Sequence, residues 1–186
     1  SNLSSLEEEF HFLPNQNARL QLLVDRIRRE RPQYDFIILD CPPNIGALTW
    51  NGLHACDEVL IPVEPSFFSL HGLGKISETL QQIQDFSTRQ IRIHALTTMY
   101  DPEMTLAQEI HDEVHAHFED KLFKTKIHWD VLLKEAAAVG RSIIQHAPES
   151  KAFRDYLNLA VEYLERDWDR RLPKRDLGWN HVLRQH

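Results

Sequence analysis

Four consecutive apolar residues, Phe36-Ile37-Ile38-Leu39, run directly into Asp40-Cys41-Pro42-Pro43. A strand that is apolar at every position must bury both faces, which is how interior strands of a parallel sheet read. The two prolines end it, because neither can donate a ladder hydrogen bond. Val59-Leu60-Ile61 before Pro62 repeats the pattern, and so does the run from Ile91 to Leu96. Helical spacing appears around these runs, in Leu20, Leu23, Val24 and Ile27, with Asn15 or Asn17 as the cap. It returns at Ala47 to Cys56, at Ser69 to Phe86, and in the stripe Leu106, Ile110, Val114 and Phe118. The last long helix is expected from Glu149 to Asp169, striped by Phe153, Tyr156, Leu157, Ala160, Tyr163 and Leu164. Shorter strands are expected at Phe10 to Leu13 and at Leu122-Phe123 with Ile127. Strands that alternate with helices require parallel pairing and right-handed crossovers. The expected fold is α/β, a mostly parallel sheet flanked by helices.

With 186 residues, the chain reads as one domain over residues 1–168, followed by a basic tail over 169–186. Its net charge of −7 argues against a whole-surface nucleic-acid binder but leaves room for local basic patches. Lys121, Lys124, Lys126, Arg141, Arg170, Arg171, Lys174 and Arg175 are the candidates, each read first as a solvated surface charge. Two cysteines are too few to staple a chain of this size, which points to a reducing, cytoplasmic setting. No apolar run approaches the ~20 residues of a membrane span, so no membrane partner is expected. Six glycines in 186 residues are well under the usual ~7 % and leave no glycine-rich phosphate loop.

An aspartate at the carboxyl end of a buried parallel strand stands where α/β sheets bind ligands. There Asp40 can organise Mg²⁺ through a water, or it can simply cap the following turn. Pro42 and Pro43 stiffen the turn, and Gly46 permits a sharp bend before the next helix. Cys41 has no histidine base in the same motif and is read as a buried thiol. His111 and His115 stand four apart with His117 close by, a metal-capable spacing. No cysteine joins them, and they are read as the polar shoulder of an amphipathic helix.

The segment from Tyr34 to Ile83, YDFIILDCPPNIGALTWNGLHACDEVLIPVEPSFFSLHGLGKISETLQQI, resembles the central region of the ParA/MinD/Soj family of deviant-Walker ATPases. The likeness continues through Leu96-Thr97-Thr98-Met99-Tyr100-Asp101, through Val114 to Thr125, and through Val131-Leu132-Leu133-Lys134-Glu135-Ala136. Ser150-Lys151 with Tyr156 matches the start of the family's last helix, so the resemblance covers residues 10–165 without obvious gaps. It implies a SIMIBI-type P-loop fold whose first strands are missing here, with ATP and Mg²⁺ as cofactors of the intact protein.

Site roles follow by the same resemblance. Asp40 would be the catalytic, Mg²⁺-organising residue. Pro42, Pro43, Asn44 and Gly46 would form switch II. Thr98, Met99 and His128 would lie at the nucleotide base. The family's KGGVGKT loop and its switch I aspartate are absent, and Gly74-Lys75 sits in a helical pattern and is no substitute. This stretch alone is therefore expected to be inactive, as the carboxyl-terminal part of a longer ATPase. The resemblance implies an ATP-bound homodimer, a ParB-like or cargo-adaptor partner, nucleoid association and non-specific DNA binding. Against DNA, the two positions where the family commonly carries arginine hold Glu103 and Leu132. The alternatives are a nucleotide-independent interaction module on the same scaffold, or a protein-cargo positioning ATPase that does not bind DNA.

Overall fold

The computed structural model describes residues 17–42, 46–66, 81 and 91–171. The strand expected at Phe10 to Leu13, the bulk of the Ser69–Phe86 helix, Gly74-Lys75, and Pro43 and Asn44 lie outside the described residues, as do 172–186. Two compact units divide the chain: 1–61 with 66–95, and 62–65 with 96–186.

In the first unit, helix α1 (Asn17–Glu30) packs against helix α2 (Ala47–Ala55). Val24, Asn51, Leu53 and Ala55 are buried there. Strand β1 (Glu58–Val63) pairs with β2 (Arg92–Thr97), and both strands run from the first unit into the second. Arg92 N–H donates to Asp57 O at 3.1 Å and Thr98 N–H to Val63 O at 2.9 Å, one constant register and hence a parallel pair. At the amino ends of the strands, Glu58 accepts from Arg92 at 2.6 Å and from His94 at 2.9 Å. Arg28 of α1 pairs with Asp57 beside them.

Strand β1 differs from the expected fully buried run. It extends through Pro62 to Val63, and Ile61 and Val63 are buried while Leu60 and Pro62 are exposed. Because Val63 turns its carbonyl toward β2, Pro62 turns its missing N–H away, which is the one place a sheet tolerates proline. The larger departure is at 36–39. This run lies outside any assigned strand, and Ile38 is 90 % exposed. A two-faced apolar strand is held by hydrogen-bonded neighbours at both edges, and the sheet of the described residues is β1 and β2 alone.

In the second unit, β2 continues into a parallel bridge between Tyr100 and His128. Ile127 N–H donates to Thr97 O at 2.9 Å and Tyr100 N–H to Ile127 O at 3.0 Å. Helix α3 (Thr105–Phe118) buries Ala107, Ile110, Val114 and Phe118, nearly the expected stripe, with Leu106 turned outward. A short 3-10 turn (Glu119–Lys121) follows it.

Helix α4 (Val131–Ala138) is capped by Asp130, which accepts Leu132 N–H at 2.9 Å. It ends at Gly140, whose φ of +65° closes the turn in a region glycine enters without strain. Helix α5 (Ile143–His146) begins with a Ser142–Gln145 capping box. Helix α6 (Lys151–Arg171) closes the unit. Leu96, Phe123 and Ile127 form one core with Leu133, Leu159 and Tyr163 against them; Ala136, Ile143 and Ala152 form another.

Among the described side chains of α6, Ala152 and Asp155 are buried, with Leu159 and Tyr163 continuing the row. The expected stripe is therefore rotated, leaving Tyr156 44 % exposed. The acid in the inward row is satisfied by hydrogen bonds rather than by water, as a buried carboxylate requires.

Candidate functional site

In the first unit, Asp40 is exposed and Pro42 is exposed beside it. Two contacts tie their segment to α2. Thr49 Oγ1 donates to Pro42 O at 3.4 Å. Cys41 Sγ lies 2.7 Å from where a Cβ on Gly52 would sit, so the absence of a side chain at Gly52 is what lets the segment approach. The expectation that Cys41 is simply buried is corrected: the residue as a whole is exposed, and one edge of it presses on α2. That partial burial, and then the charge of Asp40, push its thiol pKa up. Cys56, at the end of the same helix, is pushed up to about 11, chiefly by burial. Neither thiol is tuned as a nucleophile.

Gly46 opens α2 with extended dihedrals (φ −111°, ψ −172°), and its carbonyl accepts the N–H of Trp50 at 3.0 Å, the first bond of the helix. A single solvent-facing carboxylate is a poor all-protein cage but suits Mg²⁺, which keeps waters and completes its shell with phosphate oxygens. Among the described residues there is no group of three or more His, Cys, Asp or Glu placed to hold a metal ion.

The second unit gathers Thr98, Met99 and His128 at the carboxyl ends of β2 and its bridge partner, the edge at which parallel sheets bind ligands. Met99 has φ +51° and is 42 % exposed, a left-handed position that turns the chain at the strand tip.

His128 is held by hydrogen bonds from two of its nitrogens. Asp155 Oδ2 accepts both its backbone N–H at 3.0 Å and its Nδ1 at 2.8 Å. Its ring stands edge-on to buried Tyr100, centroids 5.6 Å apart. The same tyrosine carries Lys126 Nζ over its face at 4.3 Å and His111 on another side at 5.6 Å. His111 Nδ1 is 3.0 Å from buried Thr97 Oγ1. Burial, then the Lys126 charge, lower the His111 pKa; burial also lowers that of Lys126.

Sequence reasoning missed Asp155 and the Tyr100 cluster. An acid in the inward row of an amphipathic helix was the available signal for Asp155, since such a residue needs a donor across the interface. Among the basic candidates, Lys121, Lys124 and Arg141 are exposed. Glu103 is exposed, its N–H bonded to Asp101, whereas Leu132 is partly buried against the Ala136 core.

A parallel strand pair flanked by helices, with Thr98, Met99 and His128 at the carboxyl ends of the strands, defines an α/β class of fold. A family model described as an AAA domain matches residues 1–93. The chromosome-partitioning ATPase Soj of Treponema pallidum is 38 % identical over 81 % of this chain and 60 % of its own length. The sporulation initiation inhibitor protein Soj of Bacillus subtilis is 36 % identical over 80 % of this chain and 58 % of its own. The chromosome partitioning protein ParA of Myxococcus xanthus is 34 % identical over 83 % and 55 %. The chain belongs to the ParA/MinD/Soj family. It spans between 55 % and 60 % of the length of these three relatives.

Solved structures share the fold. Apo McdA of Cyanothece superposes with a TM-score of 0.71 at 14 % identity, over 86 % of this chain and 64 % of that one. Cobyrinic acid a,c-diamide synthase of Mycobacterium smegmatis gives 0.67 at 22 %, over 89 % and 60 %. Among the described residues no helix is long and apolar enough to cross a membrane.

Proposed function

We propose that this chain is the switch-bearing part of a ParA-like ATPase whose ATP-dependent dimerisation and hydrolysis position DNA or another cargo. The reading rests on Asp40 to Pro42, where an accessible carboxylate is followed by two residues that contact α2, Cys41 at Gly52 and Pro42 at Thr49. Asp40 would hold the waters of a Mg²⁺ ion, which when bound neutralises the charge on the transferring phosphoryl group. Pro42, Pro43, Asn44 and Gly46 would carry the state of the γ-phosphate into α2, a reading supported by the contacts of Cys41 and Pro42 with that helix. Thr98, Met99 and His128 would receive the base. Phosphate-cradling N–H groups and their lysine are not among these 186 residues, so the cycle belongs to the whole protein. A homodimer and a stimulating adaptor are part of the same proposal.

Within it, cargo of protein rather than DNA is favoured by Glu103, whose exposed carboxylate would repel phosphates, and by Leu132, which is packed into a core. The test is steady-state hydrolysis by the full-length protein. Asp40→Ala should lower kcat at least ~100-fold, as loss of an electrostatic element of the transition state does. Unchanged turnover would remove Asp40 from the chemistry.

A further inference from the structure

We infer that Cys41 and Cys56 are a modification site, a thiol pair that closes under oxidation into a reversible disulfide enclosing residues 42–55. Its effect on turnover rests on the ATPase reading above; the linkage itself does not. The two are the only cysteines among the 186 residues, and both stand against α2.

Three observations carry the inference. First, Cys41 Sγ lies 2.7 Å from the point a Cβ on Gly52 would occupy. Second, Cys56 follows Gly52 by four residues, as the residue that ends the same helix. Positions four apart on a helix share a face, with Cβ atoms about 5–6 Å apart. Third, the Cys56 thiol is held against the preceding turn, because its Sγ donates to Leu53 O at 3.3 Å. The two sulfurs therefore stand on one helical face, separated by roughly one turn of about 5.4 Å. They also feel each other: burial foremost, with the charges of Asp57 and of Cys41 adding to it, pushes the Cys56 thiol pKa up.

Cys41 is exposed and Cys56 only partly so, which makes Cys41 the thiol an oxidant meets first and Cys56 the resolving one. With hydrogen peroxide, the Cys41 sulfur attacks one peroxide oxygen. An S–O bond forms, the O–O bond breaks, and the departing hydroxide leaves as water with the Cys41 proton. The Cys56 sulfur then displaces the hydroxyl from Cys41. The S–S bond forms, the S–O bond breaks, and a second water carries off the Cys56 proton. Two electrons pass from the thiol pair to one peroxide, and a dithiol reductant restores both thiols by exchange. Both thiol pKa values are raised, so closure is slow and answers to sustained oxidation rather than to a brief pulse. A transient disulfide of this kind is the form that a reducing compartment permits.

The ring encloses Pro42, Gly46 and all of α2, and leaves Asp40 immediately outside it. Drawing Cys41 along α2 carries Asp40 with it, and a carboxylate displaced by even about 1 Å no longer positions its ligands for reaction.

The full-length protein is treated with hydrogen peroxide at neutral pH, quenched by alkylation and read by peptide mass mapping. A Cys41–Cys56 link should form at a rate independent of protein concentration and disappear with dithiothreitol. ATP turnover should fall at least ~10-fold in the linked form and return on reduction. Cys56→Ser should keep the turnover of the reduced native protein and form no internal link. Its Cys41, left without a resolving thiol, should pass on to sulfinic acid, which dithiothreitol does not reverse.

Sulfinic acid at Cys41 of the native protein without a link, or links only between molecules, overturns the inference and leaves the ATPase reading standing. A complete link with unchanged turnover overturns the effect on Asp40. A reduced full-length protein that hydrolyses no ATP overturns the ATPase reading, and the linkage is then decided by the mapping alone.

Discussion

At the scale of single residues, what decides behaviour is how each charge or contact is satisfied. Glu58 is the clearest case. Burial alone would raise its pKa, but hydrogen bonds from His94 and Arg92 outweigh that and hold the carboxyl down at about 2. A carboxyl whose folded pKa lies below its unfolded value of about 4.5 stabilises the fold above that value. The stabilisation fades as pH falls from about 4.5 through about 2. Glu58→Gln should therefore cost about 1–2 kcal/mol near pH 7, allowing for solvent screening, and almost nothing at pH 2. Urea melts at the two pH values measure this directly.

Gly52 gives a second test. A methyl group there would meet Cys41 Sγ at 2.7 Å, so Gly52→Ala should destabilise by about 1 kcal/mol and displace the Asp40–Pro42 segment. Cys41→Ala in the same chain should recover most of that loss. A double-mutant cycle with no coupling would show that the two residues do not meet in solution.

Secondary-structure elements were legible wherever their periodicity and their neighbours agree. Helix α3 is the example: Ile110, Val114 and Phe118 point inward as their spacing requires. Ile110→Ala should cost about 3 kcal/mol by calorimetry, while Leu106→Ala, at an exposed position, should fall within ~0.5 kcal/mol.

Two elements resisted such reading for different reasons. On α6 the aromatic residues suggested one face, but the buried row includes Asp155 because His128 supplies its donors from a distant part of the chain. Periodicity counts apolar residues and cannot see that partner. At 36–39 the local sequence argues for an interior strand, and the run nevertheless lies outside any assigned strand. Strand identity is a property of pairs, so composition can state what a run requires and not whether its neighbours are present. The candidate site divides the same way. Asp40 and the proline turn were visible as a motif, whereas the Thr97–His111 bond and the Tyr100 cluster join positions that no spacing rule links.

At the scale of the whole molecule, charge and family pull in opposite directions. Relatives named as chromosome-partitioning proteins share more than a third of aligned residues with this chain, yet its net charge is −7 and Glu103 is exposed. With ATP and Mg²⁺ present, the full-length protein is expected to show weak retention on a non-specific duplex at about 100 mM salt. Glu103→Arg, which exchanges a repelled charge for an attracted one, should strengthen retention several-fold, and the gain should disappear as salt rises. Tight, salt-sensitive retention of the unmodified protein would instead favour DNA as the cargo surface.

Ile38, at 90 % exposure within an apolar, β-prone tetrapeptide, makes these 186 residues sticky when handled by themselves. In concentrated stocks that exposed apolar run will stick to its own copies, so turbidity that climbs steeply with protein concentration is the expected laboratory symptom. Buffers that reward compaction will aggravate it, and a covering strand will cure it.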